Sequence, residues 1–274
     1  MKICFSTLAC PAWTLDQVIN IAASSGYDGI ELRFLEGEDS LWKLPAFQGA
    51  SLTNSKQQIS DRGLSVACVD TSCRFHFPDP QERAAWVDEG VRMAELASSF
   101  GAPGMRVFGD KIQPGADRPS TRRWIAEGVR ELAEKTVGLG VGVWLETHGD
   151  FASSRESLAI LEESGRDDAG VVWDAANAFA DGGEQPLDGI HNLGNRLQHV
   201  HLKDLACREG RWEPVLSGEG RFPLQEIVAE LERQKFDRFV SFEWEKKWHP
   251  HLAEPEISIP HFARWFRQIS QNCP

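Results

Sequence analysis

The sequence has no long hydrophobic run and no closely spaced cysteines. No apolar stretch approaches the roughly 20 residues that a membrane-spanning helix needs, so we expect no membrane partner. The six cysteines form no C-x-x-C pair, and a zinc cluster built on cysteine is therefore not predicted. The opening MKICFSTLACP has one lysine and a short apolar run broken by Pro11, which is typical of a first strand rather than an export signal. We therefore expect a cytoplasmic protein with reduced thiols.

Positive charge is also scarce. Lys and Arg number 29 against 41 Asp and Glu, which gives a formal net charge of -12. A surface this acidic repels phosphate backbones, so we expect no nucleic acid partner. The chain also lacks a linker, a charge block or a low-complexity tract that would divide it. We therefore predict one domain over residues 1–274.

Short apolar strands alternate along the chain with longer amphipathic segments, which predicts βα units with parallel strands. Eight strands, each followed by a helix, is the count of a closed (β/α)8 TIM barrel, so the predicted fold class is α/β. We expect long loops at 34–50, 71–79, 109–118 and 203–221. The predicted strands lie near 2–7, 28–33, 64–70, 104–108, 141–146, 170–174, 197–202 and 238–243.

The predicted helices have recognisable beginnings and ends. Thr14 can cap the first one and Gly26 can end it. Pro260 lies inside the last predicted helix and favours a start at or after that residue. The helices are expected near 14–25, 51–62, 80–100, 119–138, 153–163, 185–195, 222–233 and 255–270.

The fifth to eighth strands each end with a residue that can bind a metal, namely Glu146, Asp174, His201 and Glu243. A charged residue at the end of an apolar strand is costly to bury unless it has a partner or a metal. Neighbouring strands of a parallel barrel would bring all four side chains to one mouth. Three carboxylates and one imidazole suit a hard or borderline divalent cation, so Mn2+ is expected, while Mg2+, Co2+ and Zn2+ are also compatible.

Several motifs together resemble a known family. They include GYDGIELR near the second strand, LETHGD after the fifth, VVWDAAN after the sixth, HVHLKD followed by GEG after the seventh, and SFEWE at the eighth. They resemble the xylose isomerase-like TIM-barrel superfamily of sugar phosphate isomerases and epimerases, which also contains the AP endonuclease family 2 type. The resemblance covers essentially the whole chain and implies a homodimer by family habit.

The resemblance implies that Glu146, Asp174, His201 and Glu243 bind one divalent metal, and that the two glutamates also form the acid/base pair. A metal-polarised carbonyl makes the adjacent C–H acidic, so one carboxylate can remove the proton and the other can return it. The absence of a phosphate loop favours an unphosphorylated sugar or cyclitol as the small-molecule substrate. The expected substrate-binding residues are His148, Asn177, Lys203, Arg208, Glu219, Glu31 and Trp13.

Other reactions stay open. Many epimerases of this group have a histidine three residues after the metal-binding aspartate, whereas this chain has Asn177, whose amide cannot carry a cation. A metal-dependent dehydratase or lyase acting on a keto-sugar or keto-inositol begins with the same C–H abstraction, and we keep it as the alternative. Phosphodiester hydrolysis is disfavoured by the acidic charge and by only eight histidines. A non-catalytic sugar-binding barrel would leave the four ligands unexplained.

Overall fold

A computed structural model describes residues 1–270, and their internal contacts form two compact units. The first unit contains Met1–Ala67 and the stretch that begins at His199. The second unit is Cys68–Gln198. Both units alternate parallel strands with helices, which confirms the predicted α/β class. No helix among the described residues combines the length and apolar character that crossing a membrane requires.

Eight strands lie close to their predicted positions, and two further strands form a hairpin. The hairpin lies within the long connection expected at 203–221, and its strands pair antiparallel around Glu209 and Gly210, which both have positive φ. The strands are β1 Lys2–Phe5, β2 Gly29–Leu32, β3 Ser65–Arg74, β4 Gly104–Phe108, β5 Gly142–Glu146, β6 Gly170–Asp174, β7 Leu197–Leu202, β8 Asp204–Arg208, β9 Arg211–Val215 and β10 Phe239–Phe242.

The helices follow the predicted capping signals. Thr14 and Gln17 form a capping box before the first helix, and Gly26 ends it at φ 72°. The last helix begins at Pro255 and contains Pro260, so the expected later start was wrong; its buried face packs well enough to tolerate the missing backbone donor. The helices are α1 Leu15–Ser25, α2 Gly49–Asp61, α3 Pro80–Phe100, α4 Arg118–Thr136, α5 Ser154–Ser164, α6 Ala175–Ala180, α7 Pro186–Leu193, α8 Leu224–Arg233 and α9 Pro255–Ser270. Of these, only the short α6 was not expected from the sequence.

In the first unit, β1, β10 and β7 are neighbours in that order, and a parallel bridge between Ser6 and Glu31 continues the pairing from β1 to β2. Cys4 is opposite Ser241, and Ser241 is opposite His201. Residues in register on neighbouring parallel strands present their side chains to the same face. The register therefore gives this unit one buried face that carries polar side chains.

In the second unit, β3, β4, β5 and β6 are neighbours in chain order. Trp144 fills the buried face toward the beginnings of these strands, where a Cβ on Gly104 would come within 2.2 Å of its ring. Arg106 is the middle residue of β4, in register with Trp144, and Glu146 is the last residue of β5. The Trp144 ring thus fills the space near the strand beginnings, and Glu146 lies at a strand end, where a β/α fold builds its site.

Candidate metal centre

In the first unit, His201 lies between two carboxylates. Its Nδ1 atom is 3.3 Å from Oε1 of Glu243, and its Nε2 atom is 3.1 Å from Oε2 of Glu31. The β7 strand holds His201, while Glu243 directly follows β10 and its backbone N–H donates to the Leu202 carbonyl at 3.2 Å. Both side chains are buried. The imidazole therefore has a fixed orientation with one nitrogen toward each carboxylate.

Glu31 contacts a second histidine as well. Its Oε2 atom is 2.5 Å from Nε2 of His199, and all of its side chain is buried. Burial alone would raise the pKa of Glu31, but the charges and hydrogen bonds of His201 and His199 hold that pKa well below its usual value. Glu31 is thus an ionised carboxylate shared by two imidazoles. The sequence analysis expected Glu31 among the substrate-binding residues and did not foresee this pair of histidine contacts.

A chain of alternating charges continues from Glu243 toward solvent. Lys203 places Nζ 2.7 Å from Oε2 of Glu243 and 2.6 Å from Oε1 of Glu245. The other oxygen of Glu245 lies 3.4 Å from Nε2 of His249, whose side chain is 42% exposed. Burial would raise the pKa of Glu245, but Lys203 and His249 lower it. Lys203 therefore pairs with two carboxylates, the buried Glu243 and the partly exposed Glu245, a role that the sequence analysis missed.

In the second unit, Arg106 joins two carboxylates. Its Nε atom is 3.1 Å from Oε2 of Glu146, and its Nη2 atom is 3.1 Å from Oδ2 of Asp70. The guanidinium also lies 3.8 Å from the centre of the Phe108 ring. Each of these three charged side chains is at most 2% exposed. Because Nε and Nη2 of Arg106 point to different carboxylates, the guanidinium can orient the Glu146 carboxylate through one of its oxygens, Oε2.

Asp174 ends β6 and caps α6. Its Oδ1 atom accepts a hydrogen bond from the Asn177 backbone N–H at 2.8 Å, and its own N–H donates to Oγ1 of Thr147 at 2.8 Å. The strand residue that was predicted as a ligand thus also begins a helix, which fixes the carboxylate orientation. Asn177 lies one turn into this helix, beside the Asp174 carboxylate.

His148, predicted to contact substrate, pairs with an aspartate that the sequence analysis did not single out. Its Nδ1 atom lies 3.4 Å from Oδ1 of Asp110, whose other oxygen is 3.2 Å from Nη1 of Arg74. Burial alone would raise the pKa of Asp110, but His148 and Arg74 lower it to about 2. Burial lowers the pKa of His148, but Asp110 and Glu146 raise it above its usual value. Asp110 has a φ of 62°, so its placement depends on a loop conformation that the sequence pattern did not reveal.

Three other residues predicted to bind substrate, Trp13, Arg208 and Glu219, differ in their surroundings. Trp13 lines a cleft of about 290 Å³ that Lys247 and Pro255 also line. Arg208, at the end of β8, is 67% exposed and lies 4.0 Å from Glu213, while Glu219 is also exposed. Among the contacts described for residues 1–270, none joins Arg208 or Glu219 to His201 or Glu243.

Buried carboxylates and imidazoles of this kind can bind a divalent metal ion. Cys4, Glu31 and His199 of the first unit each place a donor atom within 4.8 Å of the others. Oxygen donors with one or two imidazoles are compatible with Mn2+, Mg2+, Co2+ and Zn2+.

Known proteins resemble this chain in sequence and in fold. The family described as "Xylose isomerase-like TIM barrel" matches residues 19–269. The 2-oxo-tetronate isomerase of Pectobacterium atrosepticum is 25% identical over 158 residues, which are 55% of this chain and 57% of that protein. The match thus spans little more than half the length of this curated relative.

Two solved structures are similar over the full length of the chain. The IOLI protein with a bound zinc atom has a TM-score of 0.80 and 18% identity, covering 100% of this chain and 99% of its own. D-psicose 3-epimerase from Clostridium cellulolyticum H10, solved with D-tagatose, has a TM-score of 0.79 and 17% identity, again covering 100% and 99%. Together with the family match, these similarities confirm the predicted TIM-barrel fold.

Proposed function

This chain belongs to the xylose isomerase-like TIM-barrel family, and from that premise we propose that it is a divalent-metal-dependent sugar isomerase or epimerase. One observation carries the proposal: both units bury ionisable side chains at the carboxyl ends of parallel strands. In TIM-barrel enzymes this end of the strands holds the active site. The barrel needs all eight strands, so we also propose that residues 1–274 form one domain.

The proposed metal ligands are Glu146, Asp174, His201 and Glu243. Each is at most 4% exposed and is either the last residue of its strand, the residue directly after it, or one residue before its end. Burying a carboxylate at the end of an apolar strand is costly unless a cation or hydrogen-bond donors offset its charge. We propose Mn2+ as the metal, because three carboxylates and one imidazole form an oxygen-rich set.

The chemistry of the first unit fits such a metal. A metal-binding histidine commonly donates its other ring N–H to a carboxylate. His201 has this arrangement, with Glu31 at Nε2 and Glu243 on the side of Nδ1. The ring can therefore donate to Glu31 through one nitrogen and present the other to a cation.

We propose Glu146 and Glu243 as the proton-transfer pair. A bound divalent ion would polarise the substrate carbonyl and acidify the adjacent C–H. Arg106 lies 3.1 Å from Oε2 of Glu146, and Lys203 lies 2.7 Å from Oε2 of Glu243, so each carboxylate is oriented by a cation for proton transfer. Both cations are buried, which makes this positioning stronger than it would be at the surface.

The proposed substrate is a small polyhydroxy carbonyl compound. The relatives named for 2-oxo-tetronate and D-psicose support this class, and an unphosphorylated sugar or cyclitol remains our preferred member. His148, oriented by Asp110, would bind a substrate oxygen, with Asn177 and Trp13 as further proposed contacts. We propose cytoplasmic location and a homodimer as in the sequence analysis.

The test is exchange of substrate hydrogen in deuterated water. Ketoses, aldoses and keto-inositols are incubated with the purified protein and Mn2+, and mass spectrometry measures deuterium uptake and product mass. An isomer of unchanged formula supports the proposal, whereas a product lighter by one water establishes the dehydratase alternative. Glu146→Gln and Glu243→Gln should each abolish uptake, while the exposed Glu82→Gln should keep it.

Two results would contradict these assignments. The proton-transfer role of Glu146 is wrong if Glu146→Gln keeps near-wild-type turnover and bound metal. The proposed function as a whole fails if the wild-type protein binds no divalent metal and exchanges no hydrogen with any compound of the panel.

A further inference from the structure

Glu31 lies against two histidines of β7. It is 0% exposed, and its Oε2 atom lies 2.5 Å from Nε2 of His199 and 3.1 Å from Nε2 of His201. Its backbone is held by the bridge to Ser6 in the neighbouring strand. The carboxylate is therefore placed to act through the two imidazoles that it touches.

The two nitrogens of a neutral imidazole differ, since one carries a proton and only the other can bind a metal. A carboxylate accepts hydrogen bonds and donates none when it is ionised. Glu31 thus favours the form of His201 that has its proton on Nε2. The remaining nitrogen, Nδ1, faces the Glu243 carboxylate at 3.3 Å.

His199 completes the arrangement from the same strand. It lies two residues before His201, and its Nε2 atom approaches the same carboxylate oxygen. Two imidazoles on one oxygen hold the Glu31 carboxylate in a single orientation, so its direction does not depend on His201 alone. The ring of His201 is consequently fixed before any ion arrives.

We propose that Glu31, anchored by His199, is a positioning residue that fixes the His201 ring so that Nδ1 is its metal-binding nitrogen. This inference rests on the proposed function, because it assumes that His201 is a metal ligand. It predicts that removing the negative charge of Glu31 weakens metal binding although Glu31 does not touch the ion. Loss of such a supporting carboxylate typically weakens metal affinity about 10–100-fold.

A competing arrangement has to be distinguished. Cys4, Glu31 and His199 have donor atoms within 4.8 Å of one another, so these three could hold an ion of their own. In that case Glu31 would be a ligand rather than a positioning residue. The number of ions bound per chain and the effect of Cys4→Ser separate the two arrangements.

The first experiment measures Mn2+ affinity of the metal-free protein by titration, with free Mn2+ followed by electron paramagnetic resonance. Glu31→Gln keeps the side-chain shape and removes the charge, and it should bind Mn2+ about 10–100-fold more weakly than wild type. Asp28→Asn is the matched control, because Asp28 lies just before β2 and its Oδ2 accepts from the Ile3 N–H at 2.8 Å. It removes the same charge near the other end of the strand and should leave the affinity within about twofold of wild type.

The second experiment needs no change at Glu31. Nitrogen-15 NMR of the histidine-labelled, metal-free wild type reports which ring nitrogen of His201 carries hydrogen, with the resonance identified by its loss in His201→Asn. Hydrogen on Nε2 supports the proposal. Hydrogen on Nδ1 with none on Nε2, an unchanged affinity in Glu31→Gln, or a second bound ion that disappears in Cys4→Ser would each overturn it. A wild type that binds no metal refutes the proposed function, while the NMR result still decides whether Glu31 orients the ring.

Discussion

Arg106 should be one of the most sensitive charged residues of the second unit. It is 1% exposed, and it makes ion pairs at 3.1 Å with both Asp70 and Glu146. Replacing it with methionine keeps much of the side-chain volume but leaves two buried carboxylates without this cation. Removing one partner of a buried ion pair typically costs about 3–5 kcal/mol, since the remaining charge stays desolvated.

This cost can be converted into a thermal shift. Proteins of roughly this size lose about 2–4 °C of melting temperature for each kcal/mol, so Arg106→Met should lower the midpoint by roughly 6–20 °C. The measurement is differential scanning calorimetry at neutral pH with a chelator present, so that bound metal cannot replace the lost charge.

The control is a cation–carboxylate pair at the surface. Lys135 lies 3.4 Å from Asp88, but these side chains are 43% and 69% exposed. Lys135→Met should change stability by no more than about 0.5 kcal/mol. If Arg106→Met melts within about 2 °C of wild type, the two buried carboxylates do not depend on Arg106 and the reasoning is refuted.

Two further predictions concern a loop carboxylate and a glycine. The folded pKa of Asp110, about 2, lies below its usual 3.8, so Asp110 stabilises the protein above pH 4 and this contribution is lost as the pH falls toward 2. Asp110→Asn should therefore be less stable than wild type in urea at pH 6, with a smaller difference at pH 3; an equal difference at both would contradict it. Gly104→Ala places a Cβ 2.2 Å from the Trp144 ring and should cost about 1–3 kcal/mol, whereas Gly138→Ala, with nothing within 4 Å, should be near neutral in the same assay.

The strand positions and the ends that carry ionisable residues could be predicted from the sequence. Apolar runs of four to six residues, such as the one before Asp174, have a local signature that does not require the rest of the chain. The ends of helices could also be predicted from a few neighbouring residues, because Gly26 and Gly101 end helices by adopting positive φ. The hairpin β8–β9 was not predicted because its residues range from buried to exposed and lack the alternation of apolar residues on which a strand prediction depends.

The sequence by itself therefore determined the α/β alternation and the candidate ligands at the ends of strands, because both follow from periodicity over a few residues. Only the tertiary structure decided which side chains contact and orient the ionisable residues at the strand ends. Glu31 meets His199 across 168 residues of sequence, and Arg106 meets Asp70 across 36. No local pattern encodes such a pairing, since it depends on which strands become neighbours and on their register.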